Sequence, residues 1–341
     1  MRDGLLERLE RGPVVCAEGY LFELERRGYV QAGAFVPEVV LDHPEVVAQL
    51  HRDFVRAGSD VVEAFTYYAH REKMRIVGKE HLLEQLNRQA LAIAKEVAEE
   101  TGALFAGDIC NTNVFAEDEA SKSTVRAMFE EQVGWAADAG VDFVIAETFS
   151  HAAEALIALD VIKQAGLPAV VTLTLHRSPL TRDELTPAEA CVRLEAAGAD
   201  VVGLNCSRGP ATMLSAIKSI REAVSGHVAA LPVPYRTPES QPTFQSLHDP
   251  EWEGRQAFPT ALDPFMCNRY EIAEFAKEAH AAGVNYLGLC CGAGPHHVRS
   301  LAEAIGRTPP ASRYSPDMSK HAYFGTDESL KAENVEFARD L

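Results

Sequence analysis

The chain has 341 residues, 47% of them hydrophobic, enough for one large α/β domain or two average ones. Its 32 basic and 50 acidic residues give a formal net charge of -18, which repels nucleic acid and anionic lipid and excludes both as expected partners. No apolar run reaches the roughly 18 residues of a membrane span, and the opening MRDGLLERLERG is charged and amphipathic rather than a signal peptide. The expectation is a cytoplasmic protein whose seven cysteines are reduced and free for metal or catalysis.

Apolar runs predict eight strands, over 14–18, 61–67, 103–109, 143–149, 169–175, 201–206, 228–233 and 286–291. Helical stripes alternate with them: Leu82, Leu86, Ala90, Ile93 and Val97 share one face, as do Ile272, Phe275, Ala276 and Ala279. Ala-Gly phrases at Ala57, Ala139, Ala165, Ala197 and Ala282 each precede an apolar run, the sign of a helix closed by glycine and followed by a strand buried on both faces. Thr186, Pro187 and Glu189 predict a capped helix start, and Asn268 with Glu271 predicts another.

Eight alternating β/α units over about 300 residues fit a single (β/α)8 TIM barrel. An open doubly wound sheet is the competing architecture, but no G-x-G-x-x-G follows the first strand. The Pro-, Gln- and Thr-rich stretch 234–263 reads as a long loop after the seventh strand, placed to shape the mouth. The barrel is assigned to 1–307 and a C-terminal extension to 308–341, wrapping the barrel or a neighbouring subunit.

Cys206 ends the sixth predicted strand, and Cys290 with Cys291 ends the eighth, so a barrel brings all three thiols to one mouth. Adjacent residues of a regular strand face opposite ways, so the pair shares an ion only if the strand is ending, and Gly292 and Gly294 permit that turn. Three thiolates suit Zn2+ with a fourth position open. Such a site has a net charge of about -1, holds an added thiol deprotonated, and favours a cationic electrophile. Cys16, Cys110, Cys191 and Cys267 read as small buried hydrophobes. His296 and His297 follow Pro295 at a helix start and read as exposed histidines outside the metal site.

The segments GLNC at 203–206 and GLCCGAGPHHVR at 288–299 resemble the paired zinc motifs of the homocysteine S-methyltransferase family. The region 24–74, with FVIAETF and AGADVVGLNC, is similar to that family's betaine-homocysteine methyltransferase branch. The resemblance implies a zinc-dependent barrel that moves a methyl group from an onium donor to homocysteine, giving methionine, and a homo-oligomer. By position it implies Cys206, Cys290 and Cys291 as zinc ligands. It further implies Glu18 and Glu147 on the homocysteine ammonium, and backbone N–H groups at Gly19 and Tyr20 for its carboxylate. Asn205 either fixes the loop beside its cysteine or contacts substrate.

The sequence departs from the pattern at two places. The first-strand motif, typically Asp-Gly-Gly, reads Glu18-Gly19-Tyr20. In the aromatic cage that holds the donor by cation–π attraction, Tyr68 is kept, Phe35 replaces tryptophan and Thr148 stands for tyrosine. A thinner cage implies a different or larger onium donor, so a sulfonium such as S-methylmethionine, dimethylsulfoniopropionate or S-adenosylmethionine stands beside betaine. The reading from another class is a zinc barrel that only binds a small onium or amino acid ligand.

Overall fold

Every predicted strand forms, and most stop short of their predicted ends. The computed structural model describes residues 3–253, 255–337 and 339. The strands are β1 (Val14–Ala17), β2 (Val61–Glu63), β3 (Leu104–Cys110), β4 (Phe143–Phe149), β5 (Ala169–Leu173), β6 (Val201–Asn205), β7 (His227–Leu231) and β8 (Tyr286–Leu289). All pairings are parallel, in the order β1-β8-β7-β6-β5-β4-β3-β2. Each strand therefore lies beside its neighbour in sequence, and the first meets the last. This is the TIM barrel, not the open sheet, whose order would reverse at a switch point.

One seam lacks a strand ladder. Between β1 and β2 the Asp60 amide donates to the Val15 carbonyl at 2.7 Å, and the Asp60 carboxylate accepts from the Val15 amide at 2.8 Å. The Arg307 guanidinium ion-pairs with the same carboxylate from beyond the last barrel helix. A side chain thus completes a closure for which no strand ladder forms.

The glycines of the Ala-Gly phrases, Gly58, Gly140, Gly166, Gly198 and Gly283, all have positive φ, as the helix-closing reading requires. Gly58 is the most constrained: φ is 122°, and a Cβ there would lie 2.7 Å from the Ala302 methyl. Both predicted capping boxes form, with Glu189 N donating to Thr186 Oγ1 at 3.2 Å and Glu271 N to Asn268 Oδ1 at 3.1 Å.

Inside the barrel, Val14, Cys16, Val61, Leu104, Phe143 and Tyr286 form an apolar layer with Leu5 and Leu9 of the helix Leu5–Arg11, which plugs the N-terminal end. The period of two then carries the inward face upward: Cys16 to Glu18, Val61 to Glu63, Ala106 to Asp108, Ile145 to Glu147, Gly203 to Asn205 and Gly288 to Cys290. The core is apolar below and polar above.

The loop after β7 folds back over that polar end. The Phe244 amide donates to the Ser207 carbonyl at 2.8 Å, and the Phe258 ring packs edge-on to Phe244 at 5.1 Å. The C-terminal extension begins with a 3-10 turn, Pro310–Tyr314, against the helix Pro44–Ala57. Beyond it Met318 and Phe324 stand exposed. Among the described residues no helix is long and apolar enough to cross a membrane.

Burial creates one pH sensitivity in the scaffold. His51 is 1% exposed with its ring edge-on to Tyr20 at 4.9 Å, its two nitrogens have no partner, and burial lowers its pKa from 6.5 to about 3. Below pH 6.5 the unfolded chain takes up a proton that the folded chain refuses down to about pH 3, so stability falls with acidification through that window. At pH 5 the loss is about 2 kcal/mol. Urea unfolding at pH 7 and pH 5 should therefore show the wild type losing about that much relative to His51→Leu. Parallel pH dependences for the two proteins would refute it.

Candidate active site

The three predicted thiols meet at the top of the barrel lumen. The Sγ atoms of Cys206, Cys290 and Cys291 all lie within 4.8 Å of one another, and those of Cys290 and Cys291 are 3.9 Å apart. All are buried and free. Tetrahedral zinc with Zn–S bonds of about 2.3 Å requires sulfurs about 3.8 Å apart, so the trio fits that ion with little adjustment. The Cys206 thiol is held well below its usual range because Cys290 and Cys291 both donate to it.

The cysteines lie just past the strand ends rather than on them, which corrects the predicted bounds and explains the geometry. Asn205 and Cys290 are inward-facing, so Cys206 and Cys291 would point outward if the strands continued. Cys206 instead takes φ of 56° and Gly292 takes φ of 94°, turning the chain so that consecutive residues share one centre. A Cβ on Gly292 would lie 2.2 Å from the Tyr235 hydroxyl. That hydroxyl is fixed by Arg26, whose guanidinium donates to it at 2.8 Å and to the Gly292 carbonyl at 3.0 Å.

Two cavities meet at the thiols. The inner one, of about 20 Å³, is lined by Glu18, Glu63, Asp108 and Glu147, with Tyr20 and Cys290. It has room for a group of about the size of a water or an ammonium. Its carboxylates are buried, and Glu18 Oε1, Glu63 Oε2 and Asp108 Oδ1 have no hydrogen-bond partner. Burial first, then Glu147, raises the Glu18 carboxyl well above its usual range, and burial with the Cys206 charge pushes Glu147 up to about 8. Such an enclosure favours a cationic guest.

The outer cavity, of about 240 Å³, is smaller than the roughly 300–1,000 Å³ of drug-sized sites. Phe35, Tyr68, Phe115, Phe244 and Phe258 supply aromatic wall, and Thr148, Cys206 and Ser207 line it too. Leu21, Tyr67 and Cys291 belong to both cavities, so the compartments join at the thiol centre. Of the seven non-glycine residues with positive φ among the described residues, six line the outer cavity: Phe35, Tyr68, Asn113, Thr148, Cys206 and Ser207. Backbone held in a sparsely populated region concentrates where function over-determines it.

Asn205 connects the two compartments. Its Nδ2 donates to Glu147 Oε2, to Glu18 Oε2 at 3.3 Å and to Thr148 Oγ1 at 3.1 Å, while its Oδ1 accepts from the Thr148 amide at 2.9 Å. The Thr148 carbonyl accepts from Asn111 at 2.9 Å. These bonds hold a β-branched residue at φ of 62°. Asn205 thereby fixes both the carboxylates and the cavity wall.

The other predicted site residues divide between the cavities. Glu18, Glu147 and Tyr20 line the inner one; Phe35, Tyr68 and Thr148 line the outer one. Gly19 lines neither, and a Cβ on it would lie 2.2 Å from the Ala293 carbonyl oxygen. The Lys73 ammonium sits 4.7 Å from the Tyr68 ring centre, so that ring already meets one cation. His297 corrects an expectation: it is 1% exposed, its Nδ1 accepts from the Gly294 amide at 3.2 Å and its Nε2 meets the Cys267 carbonyl at 3.2 Å, so it serves the loop. Glu63 and Asp108 escaped the sequence reading. Their signal was an acid at an inward position of an otherwise apolar strand.

Residues 16–305 match the family model described as homocysteine S-methyltransferase. The chain belongs to the homocysteine S-methyltransferase family. It is a methyltransferase, and methyl transfer to homocysteine is the family's reaction. It is 39% identical over 336 residues to betaine–homocysteine S-methyltransferase 1 of Xenopus tropicalis, spanning 95% of this chain and 80% of the relative. It is also 39% identical over 336 residues to S-methylmethionine–homocysteine S-methyltransferase BHMT2 of Pongo abelii, spanning 95% and 86%. Among solved structures, the metallated homocysteine methyltransferase MmuM from Escherichia coli matches with a TM-score of 0.69 at 18% identity, over 88% of this chain and 99% of that one. That likeness supports the barrel fold.

Proposed function

We propose that this homocysteine S-methyltransferase is zinc-dependent and takes its methyl group from an onium donor, betaine or a related compound. The observation that carries the reading is the junction of the two cavities at three thiols fitted to tetrahedral zinc. Cys206, Cys290 and Cys291 would hold the zinc, whose charge would keep a fourth, substrate thiol ionised near neutral pH.

The chain's own residues do the rest. Glu18 and Glu147 receive the ammonium of homocysteine in the inner cavity, and the Gly19–Tyr20 turn supplies backbone N–H groups to its carboxylate. The aromatic wall of the outer cavity holds the onium group and excludes water. Transfer breaks the donor's C–N or C–S bond, whose electron pair leaves with the amine or sulfide, and forms the S–CH3 bond of methionine. Positive charge disappears from the donor as negative charge disappears from sulfur, so a dry cavity favours the reaction.

A sulfonium donor is the second reading. It is favoured by Thr148 and Phe35, which leave the wall less aromatic than a full cage, and by a relative named for S-methylmethionine at the same 39% identity. Reduced, zinc-loaded protein given homocysteine and a panel of ammonium and sulfonium donors is expected to form methionine with at least one. Failure with every onium would overturn the donor reading.

We assign 1–307 to the catalytic barrel and 308–341 to an extension that mediates homo-oligomer contacts through exposed Tyr314, Met318 and Phe324. Sedimentation velocity of the full chain reads the oligomeric state. A cytoplasmic setting accords with the free state of all seven cysteines.

A further inference from the structure

The outer cavity has two chemically different walls. Beside the aromatic side chains, the segments that follow β4 and β5 contribute Ser150, His151, His176 and Arg182, with the His151 ring 5.1 Å from Phe115. Arg182 is exposed at the mouth, and among the described residues no hydrogen bond or ion pair involves its guanidinium. Its backbone is nevertheless fixed: the Arg182 amide donates to the Ser150 carbonyl at 2.8 Å, and the Thr181 amide to Leu185 at 2.9 Å. The adjoining Asp183 forms no ion pair with it: that carboxylate is engaged by the Ala152 and Ala153 amides at 3.1 and 2.9 Å.

The imidazoles beside it add hydrogen-bonding capacity without charge. His176 Nε2 meets Ser150 Oγ at 2.9 Å. Burial first, with the positive charge of Arg182 contributing, lowers the pKa of both His176 and His151. Glu154, the acid of the outer cavity's lining, is turned to the Thr112 amide and hydroxyl at 2.8 and 2.6 Å. In a chain of net charge -18, with three thiols and four carboxylates at the centre, this wall is where an anion is tolerated.

We propose that Arg182 is a specificity-determining residue that binds the anionic group of a zwitterionic onium donor. The proposal rests on the onium-donor reading above. The donor spans the cavity with its methyl-bearing cation toward Cys206 and Cys291 and its carboxylate toward Arg182, whose planar fork suits a carboxylate. The two opposed charges orient the molecule so that the cationic end, not the anionic end, approaches the sulfur. Cations without an anionic group lose this orientation.

The test compares glycine betaine with its amide, a near-isostere lacking the negative charge, in both turnover and equilibrium binding to the homocysteine-loaded holoenzyme. Wild type is expected to prefer the acid by about 10–100-fold in kcat/KM and in Kd. Arg182→Met should bring both ratios to within about threefold of one, and Arg182→Lys should fall between, since it keeps the charge and loses the fork. The exposed, unbonded side chain makes Arg182→Met compatible with folding, which circular dichroism checks. Acid-to-amide Kd ratios equal in wild type and Arg182→Met would overturn the assignment. So would a wild type without preference. Absence of methionine from every onium donor sinks the donor reading instead, and the binding ratios still decide the role of Arg182.

Discussion

Cys206→Ser should purify with well under one zinc per chain and form methionine far more slowly than wild type. Outer-shell changes at metal sites cost about 10–100-fold, and loss of one of three protein ligands should exceed that range. Cys206 is the informative member because its two neighbours donate to it, making it the site where negative charge settles best. Serine is nearly isosteric, so the backbone at φ of 56° has no added reason to move. Cys191→Ser is the matched control, since Cys191 is equally buried but belongs to the packing between barrel and helices. Metal content by atomic emission and methionine formation are measured on both. Full zinc content and activity in Cys206→Ser would refute the ligand assignment, and equal zinc loss in Cys191→Ser would show that the effect is not specific to the site.

Asn205→Ala should destabilise the protein by at least about 2 kcal/mol and weaken homocysteine use by about 10–100-fold in kcat/KM. The side chain is fully buried, and its removal leaves the Thr148 amide and Glu18 Oε2 without their partner and Glu147 Oε2 with the Thr148 hydroxyl alone. Each orphaned group costs about 1–3 kcal/mol. Asn205→Asp should be worse than alanine despite its shape, because it replaces a donor between two carboxylates with a further carboxylate. Urea unfolding and the KM for homocysteine read the two effects separately. A stability change under about 1 kcal/mol in Asn205→Ala would remove Asn205 from its central position.

The barrel was legible because its grammar is local. Each Ala-Gly phrase reports a helix end from one residue's backbone freedom, and each apolar run reports a strand from its neighbours. Cys206, Cys290 and Cys291 were legible for a related reason, since position at a strand end suffices to bring them to one mouth. Glu63 and Asp108 were missed because their importance depends on the inward face of each strand being known, and VVE and FAGD each look like a strand with one tolerated acid. The anchoring of Thr148 by Asn111 and Asn205 joins three strand ends and leaves no mark in any one of them. Arg182 lies in a loop, where a charged residue is the ordinary expectation; only the cavity gives it meaning.

The seam at Asp60 has a consequence for the order in which the molecule can be completed. β1 and β2 are among the first segments to leave the ribosome, yet β1 finds its strand ladder only in β8, and Asp60 finds its cation only in Arg307. β1 must therefore wait with an unpaired edge until β8, more than 250 residues later in the chain, has been synthesised. The ring becomes whole only when these late segments dock against β1 and Asp60, and the active-site mouth, which needs Glu18 beside Cys290, comes into existence at the same step.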